Sequence, residues 1–155
     1  MTIDMRIKRY IIMLLMAFSL TGIFAQTGKG PFKAHIYNSE YQVFMHINFY
    51  DQDIVIPGQE LFGQMAGYLS KEGTSYCWLV VSAKIKDQAP GSKAPASATL
   101  QFSNDYGSED LEAELTVEGD SLYVLKQLKG SVLKVPNKGK WQKLPHTLTF
   151  KRKSN

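Results

Sequence analysis

The sequence predicts an all-β fold, a small antiparallel meander β-barrel of about eight strands. Apolar and polar residues alternate with a period of two through most of the chain beyond residue 31, while helical periodicity is almost absent. Turn-forming residues interrupt this alternation at short, regular intervals. A β-sandwich is the alternative, but closure is favoured because a closed barrel leaves no sheet edge exposed.

The N-terminal segment has the layout of a signal peptide, and we expect residues 1–25 to be removed on export. An apolar run over 10–18 follows three basic residues, and the expected cleavage comes after Ala25. The run is short for a membrane-spanning helix, which needs about 20 residues, so a retained membrane anchor is the less favoured alternative. The sequence therefore predicts a periplasmic or secreted protein with no stable membrane insertion after processing. The basic residues of the segment are Arg6, Lys8 and Arg9.

Residues 26–155 suit a single domain in length. The net charge of +4 includes the basic residues of the predicted signal peptide, so charge gives no reason to expect nucleic acid as a partner. The single cysteine, Cys77, excludes an internal disulfide and leaves stability to the apolar core. Alternation places Cys77 on the same strand face as Leu79 and Val81, which predicts a buried structural thiol rather than a reactive one.

In the first half of the domain, alternating segments are separated by Asn, Asp, Gly and Pro turns, which favours a series of strands. The segment 41–49 alternates most clearly. Gly63 and Gly67 fall on one face of a predicted strand over 60–70, where paired glycines permit the sharp bend that barrel closure requires. The other strands predicted here cover 32–37, 54–56 and the segment that holds Cys77 and ends near Ile85.

The second half begins with 87–97, a segment rich in Pro, Gly and Ser that predicts an exposed loop. Residues 111–118 then alternate without interruption, which indicates a half-buried strand. Turns at Gly119 and Gly130, and a loop over 136–139, separate the strands that follow. The other strands predicted here cover 98–102, 121–128, 131–135, 141–144 and 147–151.

The glycine-bearing strand at Gly63-x-x-x-Gly67 and the meander of short turns resemble those of small calycin barrels of the lipocalin type. The resemblance implies a closed barrel, and barrels of about eight strands can hold one small ligand in the mouth. The leader, with Gln26 directly after the expected cleavage, resembles that of exported β-proteins of Gram-negative bacteria. That second resemblance implies a location and no activity.

Aromatic side chains with polar tips supply the candidate ligand-binding residues, because such side chains line both sugar sites and apolar pockets. Trp141 is the strongest candidate, since its neighbours are polar and include Lys140 and Lys143. Tyr68 and Trp78 are the other two. Filling of the barrel core is the alternative role for the aromatic side chains.

Charge is divided along the C-terminal half of the chain. Seven acidic residues and no lysine or arginine lie between Asp105 and Asp120, whereas nine basic residues and no acidic one lie between Lys126 and Lys153. If the adjacent strands pair, acidic and basic side chains face each other across the ladder. The functional alternative is a basic patch that binds anionic glycans, lipid headgroups or an acidic partner. The patch would contain Lys138, Lys140, Lys143, Lys151, Arg152 and Lys153.

No pattern in the sequence has the spacing of a catalytic or metal-binding motif. The segment 104–110 groups three acidic residues around Gly107, but its spacing is not that of a calcium-binding EF-hand, so a polar turn is favoured. His35, His46 and His146 lack metal-ligand spacing, although the first two would approach each other if their strands pair. We therefore predict no catalytic residue, no metal and no cofactor.

The sequence thus favours an exported, non-enzymatic binding protein with a small apolar or glycan-type ligand in a barrel mouth. The alternative is a surface protein-interaction module, such as an inhibitor or an envelope-assembly factor with an envelope protein as partner. An enzyme without a recognisable motif is the third hypothesis. An apolar cavity of several hundred Å³ would favour the first hypothesis, and a filled barrel with an exposed aromatic or basic patch would favour the second.

Overall fold

Eight antiparallel strands close into a barrel, as the alternation in the sequence predicts. The structure, a computed structural model, describes residues 30–154, so the predicted signal peptide lies outside the described residues. Within the described part of the chain, no helix has the length and hydrophobicity needed to cross a membrane. The strands are β1 (Lys33–Asn38), β2 (Val43–Asn48), β3 (Ile54–Val55), β4 (Gln64–Met65), β5 (Gly67–Lys71), β6 (Cys77–Ile85), β7 (Ala96–Asn104), β8 (Asp110–Glu118), β9 (Leu122–Gly130), β10 (Lys134–Asn137), β11 (Lys140–Lys143) and β12 (Thr147–Arg152).

The barrel is an up-and-down meander with two hairpin insertions. Around the barrel the strands follow the order β1, β2, β5, β6, β7, β8, β9 and β12, and β12 pairs with β1 to complete the circle. The β3–β4 hairpin is inserted between β2 and β5, and the β10–β11 hairpin between β9 and β12. The predicted exposed loop is observed between β6 and β7.

Side chains fill the interior of the barrel. On β8 every second residue is buried, because successive side chains of a strand point to opposite faces. An eight-stranded barrel has an interior just wide enough for its own side chains. Five aromatic side chains that belong to one continuous core occupy much of this space. They are Phe32, Trp78, Phe102, Tyr123 and Phe150, each fully buried.

Chain outside the barrel strands covers both ends of the barrel. At one end, apolar side chains in and around the β10–β11 hairpin join the core. At the other end Phe32 is buried, and the Tyr123 hydroxyl donates a hydrogen bond to the Pro31 carbonyl at 2.7 Å. Arg152 donates to the same hydroxyl at 2.6 Å. The segment that leads into β1 is therefore tied across the barrel to β9 and β12.

The predicted strand over 60–70 is wrong, because the chain leaves the barrel wall there. Glu60–Phe62 form a 3-10 turn, and the chain rejoins the barrel only at Gly67, the first residue of β5. Gly63 has φ 69° and ψ −147°, a conformation that is essentially restricted to glycine. A Cβ atom on Gly67 would lie 2.5 Å from the His46 carbonyl oxygen, so this glycine permits the close approach of β5 and β2. The two glycines thus serve different purposes and do not bend one strand.

The predicted burial of Cys77 is confirmed, but its position in the core is not. Cys77 and Leu79 lie on the outer wall of the barrel, where the β3–β4 hairpin covers them and forms a second apolar cluster. A β-bulge in β6 then shifts the register at Val81, whose side chain is 46% exposed. Trp78 and Val80 face the interior before the bulge, and Ala83 faces it afterwards.

Because of this cover, Cys77 is expected to react slowly with thiol reagents in the folded protein. Burial raises the pKa of the Cys77 thiol from 9.0 to about 11, and Asp105 contributes further. At pH 8 this shift leaves about a hundredfold less thiolate than an ordinary cysteine has. Labelling with an aromatic disulfide, followed by absorbance, should be slow in buffer and fast in guanidinium chloride. Rapid, complete labelling of the folded protein would contradict the buried position.

Candidate functional site

The β10–β11 hairpin carries Trp141 and determines which side chains accompany it. Its two-residue turn, Lys138–Gly139, has positive φ at both positions (51° and 76°), as tight hairpin turns require. The register pairs Trp141 with Pro136 and Lys143 with Lys134, so these four side chains share one hairpin face. Trp141 is 54% exposed. The hairpin therefore presents an indole ring and two lysines together.

Contacts with the barrel fix the Trp141 ring. Tyr76 meets it edge-on, with ring centroids 4.8 Å apart, and the Lys134 ammonium lies 5.6 Å from the indole centroid. Lys134 also pairs with Glu109 at 3.0 Å. Tyr106, which is 75% exposed, has its ring centroid 6.0 Å from that of Tyr76. We call Trp141, Tyr106, Lys134 and Lys143 the aromatic–basic surface.

Tyr76 links this surface to the barrel interior. Its ring lies edge-on to both Trp141 and Trp78, at centroid distances of 4.8 Å and 6.4 Å. Its hydroxyl is buried and has no hydrogen-bond partner among the described residues. Burial raises the pKa of Tyr76 to about 12, with a smaller contribution from the Asp105 carboxylate, so the hydroxyl is protonated at neutral pH.

The acidic loop 104–110 is a polar turn organised by Asn104. The side-chain oxygen of Asn104 accepts hydrogen bonds from the amides of Ser108 at 2.8 Å and Glu109 at 3.2 Å. Its amide group donates to the Ser108 hydroxyl at 2.9 Å. Asparagine side chains commonly stabilise turns through such bonds. Across residues 30–154, no group of three or more His, Cys, Asp or Glu side chains is placed to hold a metal ion.

The five predicted ligand-binding residues do not form one site. Trp78 is fully buried in the barrel, and its indole nitrogen donates to a backbone carbonyl of β10 at 2.9 Å. Tyr68 is buried on the outer wall beneath the β3–β4 hairpin. Lys140 lies on the hairpin face opposite Trp141, because the two are neighbours in one strand. Only Trp141 and Lys143 share a surface.

Three members or supports of this surface are missed by sequence reasoning, namely Tyr76, Tyr106 and Lys134. Tyr76 immediately precedes β6 and Tyr106 follows β7, and these two strands pair. The pairing brings both tyrosines to the same end of the barrel. A prediction of strand register would have provided this signal, whereas the pattern of single strands did not contain it.

The divided charge of the sequence becomes a cross-strand arrangement, as one of the two alternatives predicts. Glu112 pairs with Lys129 and Glu114 pairs with Lys126 across β8 and β9. Opposite charges at directly facing positions of a sheet attract each other. Lys143 has no salt-bridge partner within residues 30–154. Lys126 and Lys129 likewise form no salt bridge among the described residues, since Glu114 pairs with Lys86. The β9 lysines nevertheless lie opposite carboxylates, whereas Lys143 lies opposite another lysine.

A second feature is a groove of about 810 Å³ on the outside of the barrel, beside β1 and β2. His35 and His46 face each other across these strands in the groove, with ring centroids 3.8 Å apart. Burial lowers the pKa of His46 and the neighbouring His35 lowers it further, so the His46 ring stays neutral to lower pH than a free histidine. The Asn48 side-chain nitrogen donates to the Asp53 carboxylate at 2.8 Å, which fixes this carboxylate at the groove.

The aromatic–basic surface combines an exposed indole with the ammonium of Lys143, which is unpaired among residues 30–154, and with Lys134, whose ammonium is paired with Glu109. Such a combination stacks on ring-shaped apolar faces and attracts anions. No protein-family model, curated protein or solved structure matches this chain. The chemistry of its surfaces is therefore the basis for a functional assignment.

Proposed function

We propose that this protein is an exported binding protein that holds an anionic glycan on the outside of its barrel, at the aromatic–basic surface. The observation that carries the proposal is the position of Trp141, whose ring is 54% exposed yet braced by Tyr76 and by the Lys134 ammonium. A large apolar ring left exposed on a rigid support costs little ordering entropy when it binds. Export rests on the signal-peptide pattern of residues 1–25.

The filled interior supports a site outside the barrel. Aromatic side chains occupy the space that a ligand would need, and the β10–β11 hairpin covers one end of it. A ligand inside would have to displace packed side chains, each of which contributes several kcal/mol of stability when fully buried. The exposed surface requires no such displacement.

The charge of the aromatic–basic surface favours an anionic glycan over an uncharged apolar ligand. Lys143 lies on the same hairpin face as Trp141, and the turn residue Lys138 is another exposed lysine of the hairpin. Sugar rings offer the apolar C–H face that stacks on an indole, while sulfate or carboxylate substituents would meet the lysines. A purely apolar ligand would leave these charges without a partner.

The proposal is tested by the retention of the protein on a heparin column and by its affinity for a sulfated oligosaccharide. Trp141→Ala should weaken binding about tenfold, since an aromatic stacking contact contributes about 1–1.5 kcal/mol. Lys143→Glu should weaken it about fivefold, an effect that added salt reduces.

Two variants serve as controls. Lys140→Glu makes the same charge reversal on the opposite hairpin face and should change affinity much less than Lys143→Glu. Leu128→Ala removes another exposed apolar side chain, 49% exposed on β9, and should leave retention unchanged. Equal effects of the two lysine variants would indicate only a general charge attraction. Unchanged binding of Trp141→Ala would reject the glycan site and leave the surface protein-interaction module as the remaining alternative.

A further inference from the structure

We propose that His35 and His46 together bind one divalent transition-metal ion in the groove beside β1 and β2. This site lies on the outer wall of the barrel and shares no residue with the aromatic–basic surface. Two imidazoles provide nitrogen ligands, and water completes the coordination. Late first-row ions such as Cu²⁺ and Zn²⁺ prefer imidazole ligands, whereas Mg²⁺ and Ca²⁺ prefer oxygen.

The strand register explains why the two rings meet. The Phe49 amide donates to the Phe32 carbonyl at 2.9 Å, so these two residues form a hydrogen-bonded pair of β1 and β2 at the strand ends. Hydrogen-bonded and non-hydrogen-bonded residue pairs alternate along an antiparallel ladder. Counting from Phe32 and Phe49, His35 and His46 form a non-hydrogen-bonded pair. Side chains approach each other most closely at such pairs. The observed centroid distance of 3.8 Å and interplanar angle of 24° agree with this position.

The two rings are also exposed to incoming ions. Both line the groove, and His35 lies on the exposed side of β1. Tyr68 packs edge-on against His46 at a centroid distance of 6.1 Å and supports that ring from the side of β5. Because a metal ion binds an imidazole nitrogen in the plane of its ring, the two stacked rings must turn to share one ion. The exposed His35 ring has room to turn in the groove, where water completes the coordination.

The charged groups around the groove are both acidic and basic. Lys33, Arg152 and Lys153 line its rim, and Asp53 faces them. Arg152 is engaged with the Tyr123 hydroxyl, and the two lysines have exposed, flexible stems. Asp53 is held by Asn48, and its carboxylate is the acidic group that lines the groove.

The test is a titration of the untagged full chain with Cu²⁺, the divalent ion of highest intrinsic affinity in the first row. Nuclear magnetic resonance of the histidine ring protons reports the ligands directly, because paramagnetic Cu²⁺ broadens signals close to it. We expect the signals of His35 and His46 to broaden together before that of His146. Calorimetry on the same sample should give one equivalent of bound metal.

His35→Phe separates ligation from stacking, since phenylalanine can still stack on His46 but has no nitrogen to donate. This variant should bind Cu²⁺ at least about tenfold more weakly, given that even indirect support of a metal ligand affects affinity by that factor. His46→Phe should behave alike, and His146→Ala should bind as the unaltered protein does. Thermal unfolding of each variant verifies that the barrel is intact. The proposal fails if His35→Phe retains full affinity or if the His146 signal broadens first.

Discussion

Replacing Trp78 with alanine is expected to lower the free energy of unfolding by about 3–5 kcal/mol, the usual cost of deleting a large, fully buried ring. The Trp78 side chain has no exposed surface and belongs to the main core of the barrel. Its indole nitrogen also donates to the Lys134 carbonyl at 2.9 Å, and that bond joins β6 to the β10–β11 hairpin. Small domains are stable by about 5–15 kcal/mol, so the loss is a large share of the total.

Urea unfolding followed by circular dichroism measures this effect, and Trp141→Ala is its matched control. Both variants delete an indole, but Trp141 is half exposed, and its loss should cost about 1 kcal/mol or less. Trp78→Ala should in addition weaken glycan binding, because the hairpin that carries Trp141 loses an attachment to the barrel. Similar stabilities of the two variants would contradict the assignment of Trp78 to the core and of Trp141 to the surface.

The barrel was predictable from sequence because the burial of one strand face imposes alternation directly. Residues 111–118 alternate fully and coincide with most of β8, and 41–49 encloses β2. The divided charge also indicated a real pairing, since Glu114 faces Lys126 across β8 and β9. Alternation is a property of a single strand, and β8 and β9 follow each other in the chain. In both cases the order of the residues in the sequence is enough to indicate their arrangement.

The β3–β4 insertion could not be predicted, because the same local pattern fits a strand in the wall and a segment that packs on the wall. Apolar and polar residues alternate over 60–70 as they do in a strand of the barrel wall, yet Leu61 lies fully exposed on the 3-10 turn. Cys77 is apolar in character and buried, but the side from which it is covered depends on the distant insertion. The bulge at Val81 depends likewise on pairing with β7.

The candidate site was predictable only in part for the same reason. The polar neighbours of Trp141 indicated that its side chain is exposed, and Lys143 was identified as a charged residue close to it in the sequence. Trp78 and Trp141 nevertheless differ mainly in burial, since Trp78 is covered by other parts of the chain and Trp141 is half exposed. That difference depends on contacts between strands far apart in the chain. Lys140 was grouped with Lys143 by proximity in sequence, although a two-residue turn and the strand alternation place them on opposite faces.

Gly67→Ala tests the close approach of β5 to β2, and it is expected to destabilise the protein by about 3 kcal/mol, at the upper end of the usual cost of overpacking. The added Cβ atom would lie 2.5 Å from the His46 carbonyl oxygen and 3.1 Å from the Ile47 Cα atom. Both are backbone atoms, so no side-chain rotation relieves the contact and the two strands must separate. Urea unfolding provides the measurement.

Gly119→Ala is the appropriate comparison, because Gly119 has φ 64° in the β8–β9 turn and an added Cβ atom there meets nothing within 4 Å. Gly119→Ala should lower the free energy of unfolding only by the cost of placing alanine in the left-handed region, about 1 kcal/mol. Gly67→Ala should therefore be about 2 kcal/mol less stable than Gly119→Ala. Separation of β5 from β2 should also disturb His46, which pairs with Tyr68 next to this contact, and should weaken Cu²⁺ binding in parallel. If Gly67→Ala is as stable as Gly119→Ala, the two strands are not as close as the structure places them, and the geometry of the histidine pair loses its support.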